Sequence, residues 1–350
     1  MKITKYLITA GLALSLVGCG NEAEVSDNNT SIEESDTSSV ETTDKEVEKD
    51  VASDSNNTVT ITDNHGEVVV PRNPEKVVSL DSRTYDLLDK FGVSLVAAPV
   101  DVMPESVSYK TDESITNIGN HREPNFELLA AADPDLVIVG QRFEKYYDEI
   151  KELLPNASVI DISTDVSEDA ESPGNNLLEN FINSTTILGE IFEKEDEAER
   201  LILDLEESIE KAKNAYKGES VMGVIVSGGE IGYAAPKYGR VWGPLYEILD
   251  LNPALEVDKD SSDHMGDDIS VEAIAQSKPA YLLVLDRDAA VSSVEDAKPA
   301  SDVIENSKAL TDLDVIKNNK VYYAPNDTYT NESIITYTKI FNGLADLFSK

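Results

Sequence analysis

The chain has 350 residues and a formal net charge of −39, from 68 acidic against 29 basic side chains. That excess, with no basic stripe anywhere, argues against nucleic acid as a partner and means that any anionic ligand needs a local cluster of cations. A single cysteine rules out a disulfide framework, and three histidines far apart in sequence lack the spacing of a metal motif.

At the amino terminus, Lys2 and Lys5 precede an apolar run from Tyr6 to Val17 that is too short to span a bilayer, and Leu16-Val17-Gly18-Cys19 closes it. This reads as a secretory signal over residues 1–18. The cysteine in place of a small-residue cleavage site resembles a bacterial lipobox. The resemblance implies cleavage before Cys19, diacylglycerol on its thiol and a further acyl chain on the new amino terminus; two or more chains anchor stably where one is marginal. The competing reading is a plain secretion signal with an incidental buried cysteine. Residues 20–57 are dominated by Ser, Thr, Asn, Asp and Glu, with no aromatic residue and no proline. Such a segment cannot offset its ordering entropy, so residues 19–57 are expected to be a lipidated cysteine and a disordered acidic tether. The expected address is the cell membrane, lipid-anchored and facing the extracellular side.

The folded part is expected from Thr58. Val59–Thr62, the turn Asn64-His65-Gly66 and Val68–Val70 read as a hairpin ended by Pro71 and Pro74. Short apolar strands then alternate with helical patterns: Val77–Leu80, a helix around Tyr85–Phe91, Leu95–Ala98, a helix around Phe126–Ala132, Leu136–Val139, a helix over Tyr146–Leu154, and Val159–Ile162. A second series runs through Val221–Val226, helices at Pro244–Leu251 and Val271–Gln276, Tyr281–Leu285, Val321–Tyr323 and a final helix. Alternation of this kind predicts α/β architecture with mainly parallel sheets. Between the series, Ile191, Ala198, Leu201, Ile202, Leu205, Ile209, Ala212 and Tyr216 recur at helical spacing before Gly218. The folded length exceeds one comfortable core. The expected division is therefore a lobe over 58–190, an inter-lobe helix over 191–217 and a lobe over 218–350. A coiled coil is the rival reading of that helix, which is too short for sustained heptads.

One pattern occurs twice. Glu127, Pro134, the strand Leu136–Val139 and Arg142 are echoed by Glu272, Pro279, Leu282–Leu285 and Arg287 with identical spacings. In a parallel sheet, helix starts and strand ends share an edge, which is where open α/β sheets place ligands. The plainer alternatives are a Glu that favours the helix dipole and an Arg that closes a loop.

With these residues in place, the chain resembles the substrate-binding lipoproteins of iron–siderophore ABC importers, in the class that includes the cobalamin receptors. The resemblance covers about residues 58–350. It rests on Asp63–Gly66 through Pro71–Val78, on Pro124–Glu127 leading to Pro134–Ile138, on the inter-lobe helix, and on Ile269–Glu272 leading to Val284–Arg287. It implies two Rossmann-like lobes around a cleft joined by one long helix, the class III substrate-binding fold. It also implies a non-enzymatic, monomeric receptor with no intrinsic cofactor, whose transported ligand is a ferric siderophore and whose partners are ABC permease subunits.

In the catecholate branch of that family, Arg residues neutralise the anionic complex and a His and a Tyr complete iron coordination. Arg142, Arg240 and Arg287 match those Arg positions, with Arg142 one residue later after Gly140 than the commoner Gly-Arg pair. His264 falls near the family His, although the segment after it is one residue longer, and Tyr329 matches the family Tyr. Glu127 and Glu272 match the acidic pair that docks to the permease. The chemistry agrees, since a guanidinium offers a rigid fork of donors to planar oxygens, and phenolate and imidazole suit iron. Arg122 and Arg83 also follow predicted strands and can assist. The plainer readings are an exposed loop for His264, simple packing for Tyr329, and a lobe anchor rather than a cleft wall for Trp242. Three other functions stand as alternatives, of which a passive adhesin would have no small-molecule cleft. The second is a haem or corrinoid receptor of the same fold; the third is a surface hydrolase, for which Ser227-Gly228-Gly229 is the nearest approach to a nucleophile turn.

Overall fold

The computed structural model describes residues 57–350 apart from 121, 258–261, 264 and 292–296. The signal segment, Cys19, the tether as far as residue 56, and His264 lie outside the described residues. Strands β1 (Thr58–Asp63) and β2 (Gly66–Pro71) pair antiparallel, with Asp63 opposite Gly66. The turn is tied down by His65, whose ring stacks on Tyr147 at 3.8 Å and whose Nε2 lies 3.1 Å from Asp161 Oδ2.

The first sheet is wholly parallel. It contains β3 (Val77–Ser79), β4 (Leu95–Ala98), β5 (Thr116–Asn117), β6 (Leu136–Val139) and β7 (Ser158–Asp161) in the order β5-β4-β3-β6-β7. Helices α1 (Tyr85–Phe91), α2 (Phe126–Ala131) and α3 (Tyr147–Leu153) cross between its strands. The chain leaves β3 in one direction to β4 and β5, then returns to add β6 and β7 on the other side. That reversal makes β3 a topological switch point, and a crevice opens outside the carboxyl ends of such strands.

Two long helices follow. The connecting helix α5 spans Glu195–Ala215 and buries Ala198, Leu201, Leu205, Ile209 and Ala212, the positions marked by its 3.6-residue period. Ile191 does not belong to it. That residue ends α4 (Pro173–Ile191), and Glu193 at φ 53° carries the chain from one helix to the next. Helix α4 was not expected from the sequence. Its amino-terminal end is held by Glu247, which accepts from the Gly174 amide at 2.8 Å and from Asn175 at 2.9 Å.

The second sheet contains β8 (Ser220–Ser227), β9 (Glu230–Ala234), β10 (Asn252–Pro253), β11 (Tyr281–Asp286) and β12 (Val321–Tyr323). Its parallel order is β10-β8-β11-β12, and β9 folds back antiparallel on β8. Around it lie α6 (Gly243–Leu249), α7 (Val271–Ser277), α8 (Arg287–Ala290), α9 (Ala300–Glu305), α10 (Asp314–Lys317) and α11 (Ile334–Phe348). Ser227-Gly228-Gly229 forms the β8–β9 turn, with φ of 61° and 78° at the two glycines, a conformation L side chains resist. Both glycine amides donate to the buried Asp288 carboxylate, at 2.9 and 3.2 Å. These amides therefore serve the fold and are not free to stabilise an oxyanion.

Strand alternation sorts the core into layers. Val78, Val137, Val139 and Val159 face one side of the first sheet, and Met222, Val224, Leu282 and Val284 face the corresponding side of the second. The other faces share a single continuous cluster. Leu136, Ile138 and Ile160 meet Leu177 and Phe181 of α4 and Leu205 and Ile209 of α5. The cluster continues through Tyr337 and Phe341 of α11 to Ile225 and Leu283. Both sheets are thus fixed to one helical layer, each large buried side chain contributing about 2 kcal/mol.

Candidate functional site: an arginine-lined cavity

Several strand-end segments converge on one cavity of about 980 Å³. From the first sheet come Leu80 and Ser82 after β3, Pro99 to Met103 after β4, and Gln141 to Lys145 after β6. From the second come Arg287, Ala290 and Val291 after β11, and Tyr329 and Thr330 after β12; the segment after β9 supplies Arg240. Lys110, Arg122, Arg142, Lys145, Arg240 and Arg287 line it against the acids Asp101, Glu105 and Glu144. In a chain this acidic, that is a pronounced local reversal of charge, and it suits an anion.

Tyr329 is the centre of the arrangement. It is buried, with the Arg240 guanidinium 4.1 Å and the Arg287 guanidinium 5.2 Å from its ring centroid. Arg240 Nη2 also donates to the Tyr329 carbonyl at 2.8 Å and contacts Glu332 Oε1 at 2.5 Å. Burial opposes the charge on Arg240, but the Glu332 carboxylate together with the Tyr329 and Tyr337 phenols outweighs it, so the guanidinium is held above its usual pKa. Arg287 Nη1 donates to Ser227 Oγ at 3.2 Å. The Nε atoms of Arg240 and Arg287 are both buried with no hydrogen-bond partner among the described residues. Buried donors are ordinarily satisfied, so two orphaned ones beside a cavity mark a site short of acceptors.

Of the residues expected from sequence, Arg122, Arg142, Arg240, Arg287 and Tyr329 all line this cavity. His264, expected as a metal ligand, lies outside the described residues. Glu127 and Glu272 stand exposed in the first turns of α2 and α7. Those helices are capped by Asn125, accepting from the Leu128 amide, and by Ser270, accepting from the Ala273 amide. Trp242 is fully buried, donates to the Val224 carbonyl at 3.2 Å and meets Tyr322 edge-on, so it anchors the second sheet and does not wall the cavity.

Sequence reasoning missed a second tier behind these residues. Glu332 is the carboxylate between Arg240 and Arg83, whose Nη2 lies 3.6 Å from Glu332 Oε2. Gln141 adopts φ 47°. Oriented by its partners, its amide donates to Ser82 Oγ at 2.9 Å and accepts from Arg83 Nε and Nη1 at 3.1 Å. The signal for it was the extra residue between Gly140 and Arg142. Beneath it, Gly140 lies so close to Asp81 that a Cβ there would overlap the carboxylate. Burial pushes Asp81 up to about 6, against the opposing pull of Arg83.

The profile of the family described as periplasmic binding protein (Peripla_BP_2) matches residues 77–328. The chain is 29% identical over 264 residues to the petrobactin-binding protein YclQ of Bacillus subtilis, covering 74% of this chain and 77% of that one. It is 27% identical over 286 residues to the ferric-anguibactin-binding protein FatB of Vibrio anguillarum, covering 81% and 84% respectively. The crystal structure of YclQ superposes with a TM-score of 0.68 at 25% identity, covering 84% of this chain and 99% of YclQ.

Proposed function

We infer that this chain, which belongs to the periplasmic binding protein family, is a non-enzymatic receptor that binds a ferric siderophore and delivers it to an ABC permease. The ligand class that fits best is catecholate. The observation that carries this is the convergence of Arg122, Arg142, Arg240 and Arg287 with Tyr329 on one cavity at the carboxyl edges of two sheets. A ferric tris-catecholate spreads excess negative charge over planar oxygen pairs, and guanidinium forks match such pairs in a partly desolvated site. Relatives named for binding petrobactin and ferric anguibactin support the siderophore reading. Iron is the cargo, held by the siderophore, and the family resemblance makes Tyr329 and His264 the candidate protein ligands to it.

The remaining parts of the proposal come from the sequence. Cys19 carries the lipid anchor, residues 20–57 the tether, and the receptor works as a monomer at the outer face of the cell membrane. Glu127 and Glu272 dock to cationic side chains of the permease, their exposure in two equivalent first turns supporting that role. Reversing either charge to Lys should reduce uptake of labelled ferric siderophore several-fold in cells while leaving affinity in solution within about twofold. Lost affinity would contradict the assignment. The ligand class is tested by a binding panel on the fragment from Thr58: ferric catecholates, ferric hydroxamates, haemin and cobalamin. The reading predicts preference for the catecholates; preference for haemin or cobalamin would replace it.

A further inference from the structure

The Arg240 guanidinium is already engaged in this structure, and by which nitrogen matters. A guanidinium presents two donor forks, one formed by Nε and Nη2 and one by Nη1 and Nη2. The two hydrogens of Nη2 therefore belong one to each fork. In this protein Nη2 meets both Glu332 Oε1, at 2.5 Å, and the Tyr329 carbonyl, at 2.8 Å. The Tyr329 carbonyl takes one Nη2 hydrogen and the Glu332 carboxylate is in ion-pair contact with the same nitrogen, which belongs to both forks, while Nε is buried without a partner among the described residues. Arg287 differs: its Nη1 holds Ser227, and its buried Nε has no partner among the described residues.

Glu332 is itself fixed. Its side chain is 11% exposed, lies between Arg83 and Arg240, and stands directly before Ser333, the residue that caps α11. Arg83 in turn is held by the Gln141 amide. The result is one buried carboxylate shared by two guanidinium groups, Arg83 from the first sheet's loops and Arg240 from the second's. A buried carboxylate in that position does what a ligand oxygen would do: it supplies negative charge to Arg240 while the cavity is empty.

We propose that Glu332 is an internal counter-anion that occupies Arg240 and so sets how much negative charge the cavity accepts, making it a specificity-determining residue. The inference rests on the receptor reading above and adds a determinant of ligand charge to it. An incoming anionic complex competes with Glu332 for Arg240, which lines both this cavity and the neighbouring one that Glu332 and Arg83 line. A neutral complex of similar size does not.

The test compares the wild-type fragment from Thr58 with Glu332→Gln and with the double variant Arg83→Met/Glu332→Gln. The probes are a ferric tris-catecholate, which is anionic, and a ferric tris-hydroxamate, which is neutral. Binding is measured at two salt concentrations, with thermal melts alongside. Glu332→Gln keeps the shape and removes the charge, so it should tighten the tris-catecholate by roughly tenfold and steepen its salt dependence, while the hydroxamate stays within about twofold. The double variant removes one cation and one anion, leaving the local formal charge unchanged with Arg240 released. It too should tighten the tris-catecholate. A merely structural role for Glu332 predicts instead a lowered melting temperature and equal weakening of both complexes, and that result overturns the proposal. So does unchanged tris-catecholate affinity in both variants when the wild type binds it. If the wild type binds neither probe, the receptor reading falls first and this inference with it.

Discussion

Asp81 carries the sharpest pH signature at the level of single residues. It is buried at the end of β3, accepts from the Arg83 amide at 3.0 Å, and has its carboxyl pushed up to about 6, chiefly by burial. An acid whose pKa is raised on folding binds its proton more tightly in the native state than in the unfolded chain. Its ionisation therefore costs stability as pH climbs from the ordinary carboxylate value towards 6, and the full cost persists above that. Asp81→Asn removes the cost but resembles the protonated wild type. The difference in unfolding free energy between variant and wild type should grow in the variant's favour from pH 4.5 to 7.5, by about 2 kcal/mol. Urea denaturation across that range checks it, and a flat difference would show that Arg83 fully compensates the buried charge. The arrangement also accounts for Gly140: at φ −170° its backbone is ordinary, but any side chain would strike this carboxylate.

Among the elements, the segment between β12 and α11 is tied to α1 and the loop after β4 by side-chain hydrogen bonds. The Ser106 hydroxyl donates to Asp327, and Asn331 and Ser333 both donate to Asp86 Oδ2, at 3.0 and 2.9 Å. Ser333 also caps α11, accepting from the Thr336 amide at 3.2 Å. Removing that hydroxyl in Ser333→Ala loses a cap and an inter-element bond together. It should cost about 2 kcal/mol in chemical denaturation and weaken ligand binding by loosening Tyr329. Loss of stability with unchanged binding would separate the cap from the site.

How these elements read from sequence varied for physical reasons. Helix α1 and strands β4 and β6 were recovered to the residue, because apolar periodicity and the stop after Phe91, at Gly92 in the left-handed region, coincide. Helix α5 was found by its apolar stripe, but its start was set too early because Ile191 continues that stripe from the preceding helix. Helix α4 went unread since Asn175, Asn176, Asn180, Ser184, Thr185 and Thr186 are poor helix formers. Several of their side chains are satisfied by backbone carbonyls, as with Asn180 to Ile162 at 2.7 Å and Ser184 to Asn180 at 2.7 Å, and Asn175 by the Glu247 carboxylate, whereas the buried Thr185 hydroxyl has no partner among the described residues. Arg142 and Arg287 were legible from the repeated spacing, Arg240 from the family match and Arg122 from its place after a predicted strand. Glu332 and Gln141 were not, because they act on Arg240 and Arg83, a relation between distant segments that no local pattern records.

At the scale of the whole molecule, the two sheets are bound to one continuous apolar layer of α4, α5 and α11. A shared core of this kind is not a hinge; separating the sheets would expose it at roughly 25 cal/mol for each Å² of apolar surface. Ligand binding should therefore move loops and side chains more than whole layers. Small-angle scattering with and without a ferric catecholate should show the radius of gyration of the fragment from Thr58 changing by less than about 1 Å. A larger contraction would mean that the common layer yields, and that closure rather than a preformed cavity provides the fit.

The measurement that bears most directly on the whole account is calorimetric titration of a ferric tris-catecholate into that fragment, with Arg142→Ala/Arg240→Ala/Arg287→Ala beside it. The account predicts saturable one-to-one binding to the wild type and a loss of at least about 100-fold in the triple variant, as charge-assisted contacts are removed. A triple variant that stays folded and binds as tightly as the wild type would contradict it.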